Sequence, residues 1–577
     1  MPPVAPVVTA GARYTVLARH AACLVCRKRK QDRIKEIEEQ IRTIEKKRGS
    51  SSLLSVPAPY HSPPESQTPS PGTSYATSHN GGSQGPVTPP SKAVSADTIF
   101  PGTPTSLPSP SSLFLNEPQV KPRWPNLEGS EPSPDAIRSL LRIFIQRHPQ
   151  CAFELHMGRV LRCLEPGAAK PLIPALLNAM LLMGCHFTRD PQLKAWENMF
   201  FERTKQNIDA NIAQAHQGDG KYNSLHHLQA MSLLGLYYYF KGRLLEGHVY
   251  TAHATRFGMT LGIHQLDSRI FRKGATTRRI QGVFGVERWQ PQDSMELGEA
   301  INLHSCCLEL VGSALNGLPA CVAPEDVTTV WPRLLSDFEP GGTLPDDNYS
   351  TASLLDPHVG HIVTDASHDN FKSLMTKACI LMIYAGKLDT ERIANPHGTE
   401  EWWTRFEQVD GALNRFTETM PPVHLGRNVA ELAGLVVVHT GAFCGQVQLH
   451  SALSECELAM DNQEDSFTRQ PNSPIGGLSY TRCTEACRGT ALAASLVSEI
   501  DMSYMFMFIG VPWVGVSEVL IKDIPKLRQR GWMAQAWQKE QQLATIEGCM
   551  EKLAATYPVY SLQMRQLRIV KQQQLLR

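Results

Sequence analysis

Residues 225–266, LHHLQAMSLLGLYYYFKGRLLEGHVYTAHATRFGMTLGIHQL, constrain the fold of this chain more than any other stretch. Leu225, Leu228, Met231, Leu234 and Tyr238 recur every three or four residues, the spacing of one helical stripe. Lys241-Gly242-Arg243 breaks the pattern, and a second stripe follows at Val249, His253, Phe257 and Leu261. Between these lie Ala252, Ala254, Gly258 and Gly262, small enough to let a neighbouring backbone approach closely. Neither run shows a polar face, so the spacing predicts two antiparallel helices, about 225–239 and 245–263, inside a large helical domain. Arg256 on such a helix, if buried, needs a carboxylate or carbonyl partner.

The rest of the 577 residues fits that frame. A helical pattern starts at Ser133-Pro134-Asp135-Ala136, Leu172 to Met183 reads as a core helix, and Pro191 to Ile212 as a helix facing solvent. From Phe371 onward the chain reads as helical, with breaks near Pro396, Pro421-Pro422 and 462–477. Strand patterns are scarce. Pro171 to Phe187, Ala430 to Val447 and Met502 to Val516 are apolar, but each is interrupted before the roughly 20 residues that span a bilayer, so all three read as buried helices and no membrane partner is expected. Residues 1–20 lack the basic start and apolar core of a secretory signal, and 14 scattered cysteines fit a reducing compartment. No GxSxG after a strand, no Gly-rich loop before Lys-Ser/Thr and no HExxH occurs, so no enzyme is expected. His358, His361 and His368 with Asp356, Asp365 and Asp369 are metal-ligand types, yet they sit in a run that reads as a polar surface loop. Cys306/Cys307 and Cys483/Cys487 read as packing residues.

The N-terminus is chemically distinct. Residues 1–50 hold 12 Lys/Arg against 5 Asp/Glu, whereas the whole chain carries a net charge of only +1. Cys23 and Cys26 place two thiolates within reach of one metal ion, and Arg27, Lys28, Arg29 and Lys30 follow as a cationic run suited to phosphate. Ile34, Ile37, Ile41 and Ile44, spaced 3-4-3 among charged residues, form the seam of a short dimerising coiled coil. Residues 51–135 contain 18 prolines and 17 serines, a composition that buries too little apolar surface to offset the entropy of ordering.

Four segments together carry a family resemblance. Gly242-Arg243, Glu246-Gly247 and Ala254-x-Arg256-x-Gly258-x-x-Leu261-Gly262-Ile263-His264 resemble the helical middle region of fungal zinc-cluster transcription factors, with Gly258 in place of an Ala and Ile263 in place of a Leu. Gly317-Leu318-Pro319, Glu325-Asp326 and Trp331-Pro332 resemble that region's later turn. There Glu309 stands where the family usually has Asp, and Leu310 where it has Arg. Residues 483–527 resemble its terminal helices. Cys23 to Lys30 resembles the opening of the Zn(2)-Cys(6) cluster, in which six cysteines hold two zinc ions. Here the third-cysteine position is Arg33 and the next cysteine is Cys151, so four ligands are absent, as though a segment had been lost between Lys30 and Gln31.

The resemblance implies an all-α protein: a truncated zinc-cluster remnant at 20–30, a coiled coil at 31–48, a disordered linker at 49–135, and a helical regulatory domain at 136–577 with its core at about 136–335. It further implies a nuclear, dimeric regulator of RNA polymerase II genes. Zinc is the family cofactor and DNA the family partner. A small-molecule effector or co-regulator is expected at the helical domain. The alternative is a helical regulatory or interaction protein of the same family that lacks sequence-specific DNA binding.

Overall fold

The computed structural model describes residues 131–575, apart from 152, 166, 169, 218–221, 267–288, 305–308, 310, 314–317, 319, 341–348 and 461–475. The expected zinc ligands Cys23 and Cys26, the cations Arg27 to Lys30, the seam Ile34, Ile37, Ile41 and Ile44, and the linker up to residue 130 all lie outside the described residues.

What is described is all-α, as expected. It contains no strand, only one isolated bridge between Val330 and Ser350. Helix α1 (Pro134–Arg147) starts where the sequence places it: Pro134 occupies the first turn, and Ser133 Oγ accepts from the Ala136 N–H. After α2 (Met157–Cys163), the apolar run forms α3 (Pro174–Phe187), and α4 (Glu197–Gln217) lies beside it. The central pair is α5 (Ser224–Phe240) and α6 (Leu244–Leu261). Three close approaches fix its register as antiparallel: Gly235 against Thr251, Tyr239 against Gly247, and Leu228 against Gly258. The turn between them follows from Gly242, whose φ of +70° only glycine adopts without strain. Its N–H donates to Tyr239 O, and Arg243 N–H donates to Tyr238 O, which closes the end of α5 as a Schellman motif.

The two helices are not equivalent, and one expectation is corrected here. Every residue of α5 except His226 is buried, whereas α6 buries one face only. Val249 is 55% exposed and His253 also faces solvent, so they do not share a buried stripe with Phe257 and Leu261. The buried face of α6 is Gly247, His248, Thr251, Ala254, Phe257, Gly258 and Leu261, and the residues in close approach to α5, Gly247, Thr251 and Gly258, are small ones. Arg256 is exposed and has no need of a buried partner.

Beyond α7 (Ser294–His304), the C-terminal part comprises α8 (Phe371–Ala394), α9 (Glu400–Thr419), α10 (Val429–Met460), α11 (Leu478–Val497), α12 (Gly510–Gln529), α13 (Met533–Ala554) and α14 (Pro558–Leu575). At 32 residues α10 is long and apolar enough to cross a membrane, but 72% of its apolar window is buried against neighbours, chiefly α8 and α11, which makes it the spine of this half. The apolar stretch Met502 to Val516 is buried, but it is not one helix. Two single turns, Met502–Tyr504 and Met507–Ile509, precede α12, with Tyr557 and Tyr560 hydroxyls donating to the carbonyls of Met505 and Met507.

Candidate functional site

The α5/α6 pair, α7 and α8 line a partly open cavity of about 60 Å³. Helix α5 contributes Leu228 and Ser232, α6 contributes Thr251, Ala254 and Gly258, α7 contributes Leu303 and His304, and α8 contributes Thr376 and Ile380. The irregular segment after α7 closes it with Val322, Val327, Thr329, Val330 and Trp331, joined by Glu309 from a helical residue in between. This segment is held by the end of the resemblance motif: Thr328 and Thr329 N–H groups donate to His264 O, and Thr329 Oγ donates to Ile263 O at 2.5 Å. Thus Leu261-Gly262-Ile263-His264 ends α6, with Gly262 at a φ of +82°, and pins the cavity's far wall.

The walls are mostly apolar, and the polar groups among them stand out. Glu309 is 2% exposed. Its Oε1 accepts from Ser313 Oγ (3.0 Å) and from the Cys321 N–H (2.9 Å), while Oε2 is buried with no hydrogen-bond partner. Trp331 is also buried, and its Nε1–H has no acceptor. Burial first, and then the charge of His264, push the His304 imidazole down to about 4, so it is neutral at pH 7 and does not balance the carboxylate. The negative charge of Glu309 is felt nearby: burial and then Glu309 raise the Cys321 thiol to about 11, against an opposing contribution from Arg256.

A second group of buried acids lies outside this cavity. Glu299 accepts from the His156 N–H at 2.8 Å, and Arg159 Nε lies 3.9 Å from its other oxygen. Arg159 also pairs with Asp293, so its charge is shared. Burial dominates, and the Glu299 carboxyl rises to about 7.

Three other constellations prove structural. Asp356 and Asp365 accept from backbone N–H groups of their own turns, and Asp369 pairs with Lys377 Nζ at 2.6 Å, so the 356–369 acids are engaged locally. Among the described residues no His, Cys, Asp and Glu group can hold a metal ion. Cys483 and Cys487 are buried packing residues. Asp410, His450 and Ser479 line up at 2.9 and 3.1 Å in the manner of a hydrolytic triad. Ser479 is buried, however, and the N–H groups of Gly477, Ser479 and Tyr480, where an oxyanion would bind, already donate to Glu457. The chain of bonds locks α9, α10 and α11 together.

Of the residues that sequence reasoning singled out, those of the 242–264 motif build the hairpin and one wall of the cavity. Gly247 sits against the Tyr239 ring, and Arg243 pairs with Glu246 at 2.9 Å across the turn. The polar lining of Glu309, Trp331 and His304 was missed as a site. The available signal was a carboxylate within the apolar run 306–313, CCLELVGS.

The arrangement is that of a helical domain with a partly open cavity among its core helices. Residues 153–290 match the family described as Fungal specific transcription factor domain. This chain carries that domain, which is a transcription factor family and not an enzyme class. The match includes the α5/α6 hairpin and ends before the segment at 295–332. No curated protein and no solved structure matches the chain.

Proposed function

We propose that this chain is a nuclear transcription regulator of RNA polymerase II genes, dimeric through Ile34, Ile37, Ile41 and Ile44, with its helical domain as the regulatory part. The observation that carries this reading is the match of residues 153–290 to a fungal-specific transcription factor domain, downstream of Cys23-Leu-Val-Cys26 and four consecutive cations. The basic run Arg27 to Lys30 releases counterions when it meets phosphate.

A second reading is favoured by Arg33, which occupies the position of the third zinc ligand. Two thiolates do not close a tetrahedral zinc site, and without the folded cluster the cations are not aimed at base edges. On this reading the chain regulates through its helical domain and binds DNA without sequence preference.

One experiment separates the two readings: zinc content by native mass spectrometry and DNA binding at two salt concentrations. It is run on this chain and on a version in which a segment carrying the four missing cysteines is inserted between Lys30 and Gln31, to complete the cluster with Cys23 and Cys26. The chain as it stands should hold substoichiometric zinc and bind DNA weakly, with steep salt dependence. Stoichiometric zinc with sequence-selective binding would restore the first reading in full. In the same samples Ile37→Lys should weaken self-association in sedimentation; an unchanged mass would remove the coiled coil from the account.

A further inference from the structure

The cavity beside Glu309 brings two buried polar groups without hydrogen-bond partners, Glu309 Oε2 and Trp331 Nε1, to the lining of one space. A carboxylate whose first oxygen already accepts two hydrogen bonds, from Ser313 and Cys321, lacks only a donor at its second. Among the described residues no ion pair to it is formed, and the imidazole on the same cavity, His304, is neutral at pH 7. Leaving a buried charge without a counterion is costly, so such a site favours a cation from outside. The Trp331 N–H adds the complementary need, a donor without an acceptor. The rest of the lining mixes apolar side chains, Leu228, Ala254, Leu303 and Ile380, with Ser232, Thr255 and Thr376. A volume of about 60 Å³ exceeds that of one water and falls well below the roughly 150 Å³ that accommodates benzene. It suits a molecule of only a few non-hydrogen atoms, or the head of a longer one.

We propose that this cavity is a binding site for a small protonated amine that also carries an oxygen acceptor, the chemistry of a short amino alcohol. The ammonium group donates to Glu309 Oε2, the oxygen accepts from Trp331 Nε1–H, and the short carbon chain lies against Leu228 and Ile380. Because the walls come from α5, α6, α7, α8 and the 321–331 segment, occupancy ties the hairpin to the elements that follow it. That is a means for a metabolite to set the rigidity of the domain, whether or not the N-terminus binds DNA.

The test is thermal unfolding of the full chain with ethanolamine, n-propylamine and glycolate as probes, each taken to roughly ten millimolar, the range in which weak small ligands saturate. Ethanolamine should raise the melting temperature saturably, n-propylamine less, and glycolate not at all. Glu309→Gln keeps the acceptor for Ser313 and Cys321 but removes the charge, and should weaken ethanolamine at least about tenfold. Trp331→Phe keeps the ring and should reduce the preference for ethanolamine over n-propylamine. If Glu309→Gln does not fold, Ala254→Leu, which fills the cavity and leaves Glu309 in place, must abolish the effect. The proposal is overturned if no probe acts, which would mean that water alone fills the cavity. It is equally overturned if all three act alike, or if ethanolamine binds Glu309→Gln or Ala254→Leu as it binds the unaltered chain.

Discussion

The two halves of the helical domain each bury a carboxylate, and they treat it in opposite ways. In the C-terminal half Asp523 on α12 meets Lys539 on α13, Nζ to Oδ2 at 2.7 Å, with both side chains under 5% exposed. Thr484 from α11 lies 3.4 Å from the same nitrogen, and the Tyr480 ring covers it at 5.0 Å. That carboxylate is spent on holding three helices together. In the N-terminal half Glu309 has one oxygen bonded and the other without a partner, on the lining of a partly open cavity. Between the extremes stands Glu299, with a backbone N–H on one oxygen and a shared arginine at 3.9 Å from the other. The difference teaches how to tell a lock from a site: a buried charge with its counterion built in is structure, and one without it is a vacancy for a ligand.

Breaking the lock should have the largest effect. Lys539→Met leaves Asp523 buried and uncompensated, and should cost about 3–5 kcal/mol in chemical denaturation of the full chain. Adding Asp523→Leu removes the stranded charge and should recover most of that loss. If the single variant is as stable as the unaltered chain, the pair is not the lock described here.

Glu299 supplies the intermediate case through pH. Its folded value of about 7 stands above the ordinary 4.5, so folding favours the protonated form. The sign follows: its contribution to stability is complete below pH 4.5 and is lost as pH rises through 7. Glu299→Gln should therefore gain on the unaltered chain across that interval, by at most roughly 3 kcal/mol. The difference between the two curves isolates Glu299 from the desolvated histidines His186, His226, His227 and His304. Held at about 3 to 4, they act in the opposite sense, costing stability as pH falls below 6.5. Parallel curves for the two proteins would place the Arg159 charge closer to Glu299 in effect than its 3.9 Å separation implies.

The smallest loss of stability belongs to Glu309→Gln, which breaks no ion pair and removes a buried charge that has no counterion, so the variant should resist unfolding at least as well as the unaltered chain. Its signature is chemical. The Cys321 thiol, held up at about 11 by burial and then by Glu309, should titrate lower and alkylate faster in the variant.

The hairpin was legible in the sequence because its information is local. A run such as Leu225 to Phe240 is helical by period and buried by composition, and Gly242 with Arg243 marks the turn directly. The face of α6 was not legible from apolar spacing. There the contact with α5 is made by Gly247, Thr251, Ala254 and Gly258, and large residues such as Val249 are turned outward. Met502 to Val516 misled for a related reason: apolarity reports burial, but two single turns anchored by Tyr557 and Tyr560 bury it as well as a helix would. The cavity was beyond reach altogether. Leu228, Glu309, Trp331 and Ile380 meet only through tertiary packing, and nothing in their local spacing announces a shared space.

The central claim is that Glu309 marks a site and Asp523 a lock, and calorimetric titration with ethanolamine at pH 7.5 tests it most directly. It requires three full-length proteins: the unaltered chain, Glu309→Gln, and the Asp523→Leu/Lys539→Met double variant. The account predicts one ethanolamine bound per chain, at least about tenfold weaker binding in Glu309→Gln, and unchanged binding in the double variant. Equal binding in Glu309→Gln, or its loss in the double variant alone, would contradict it.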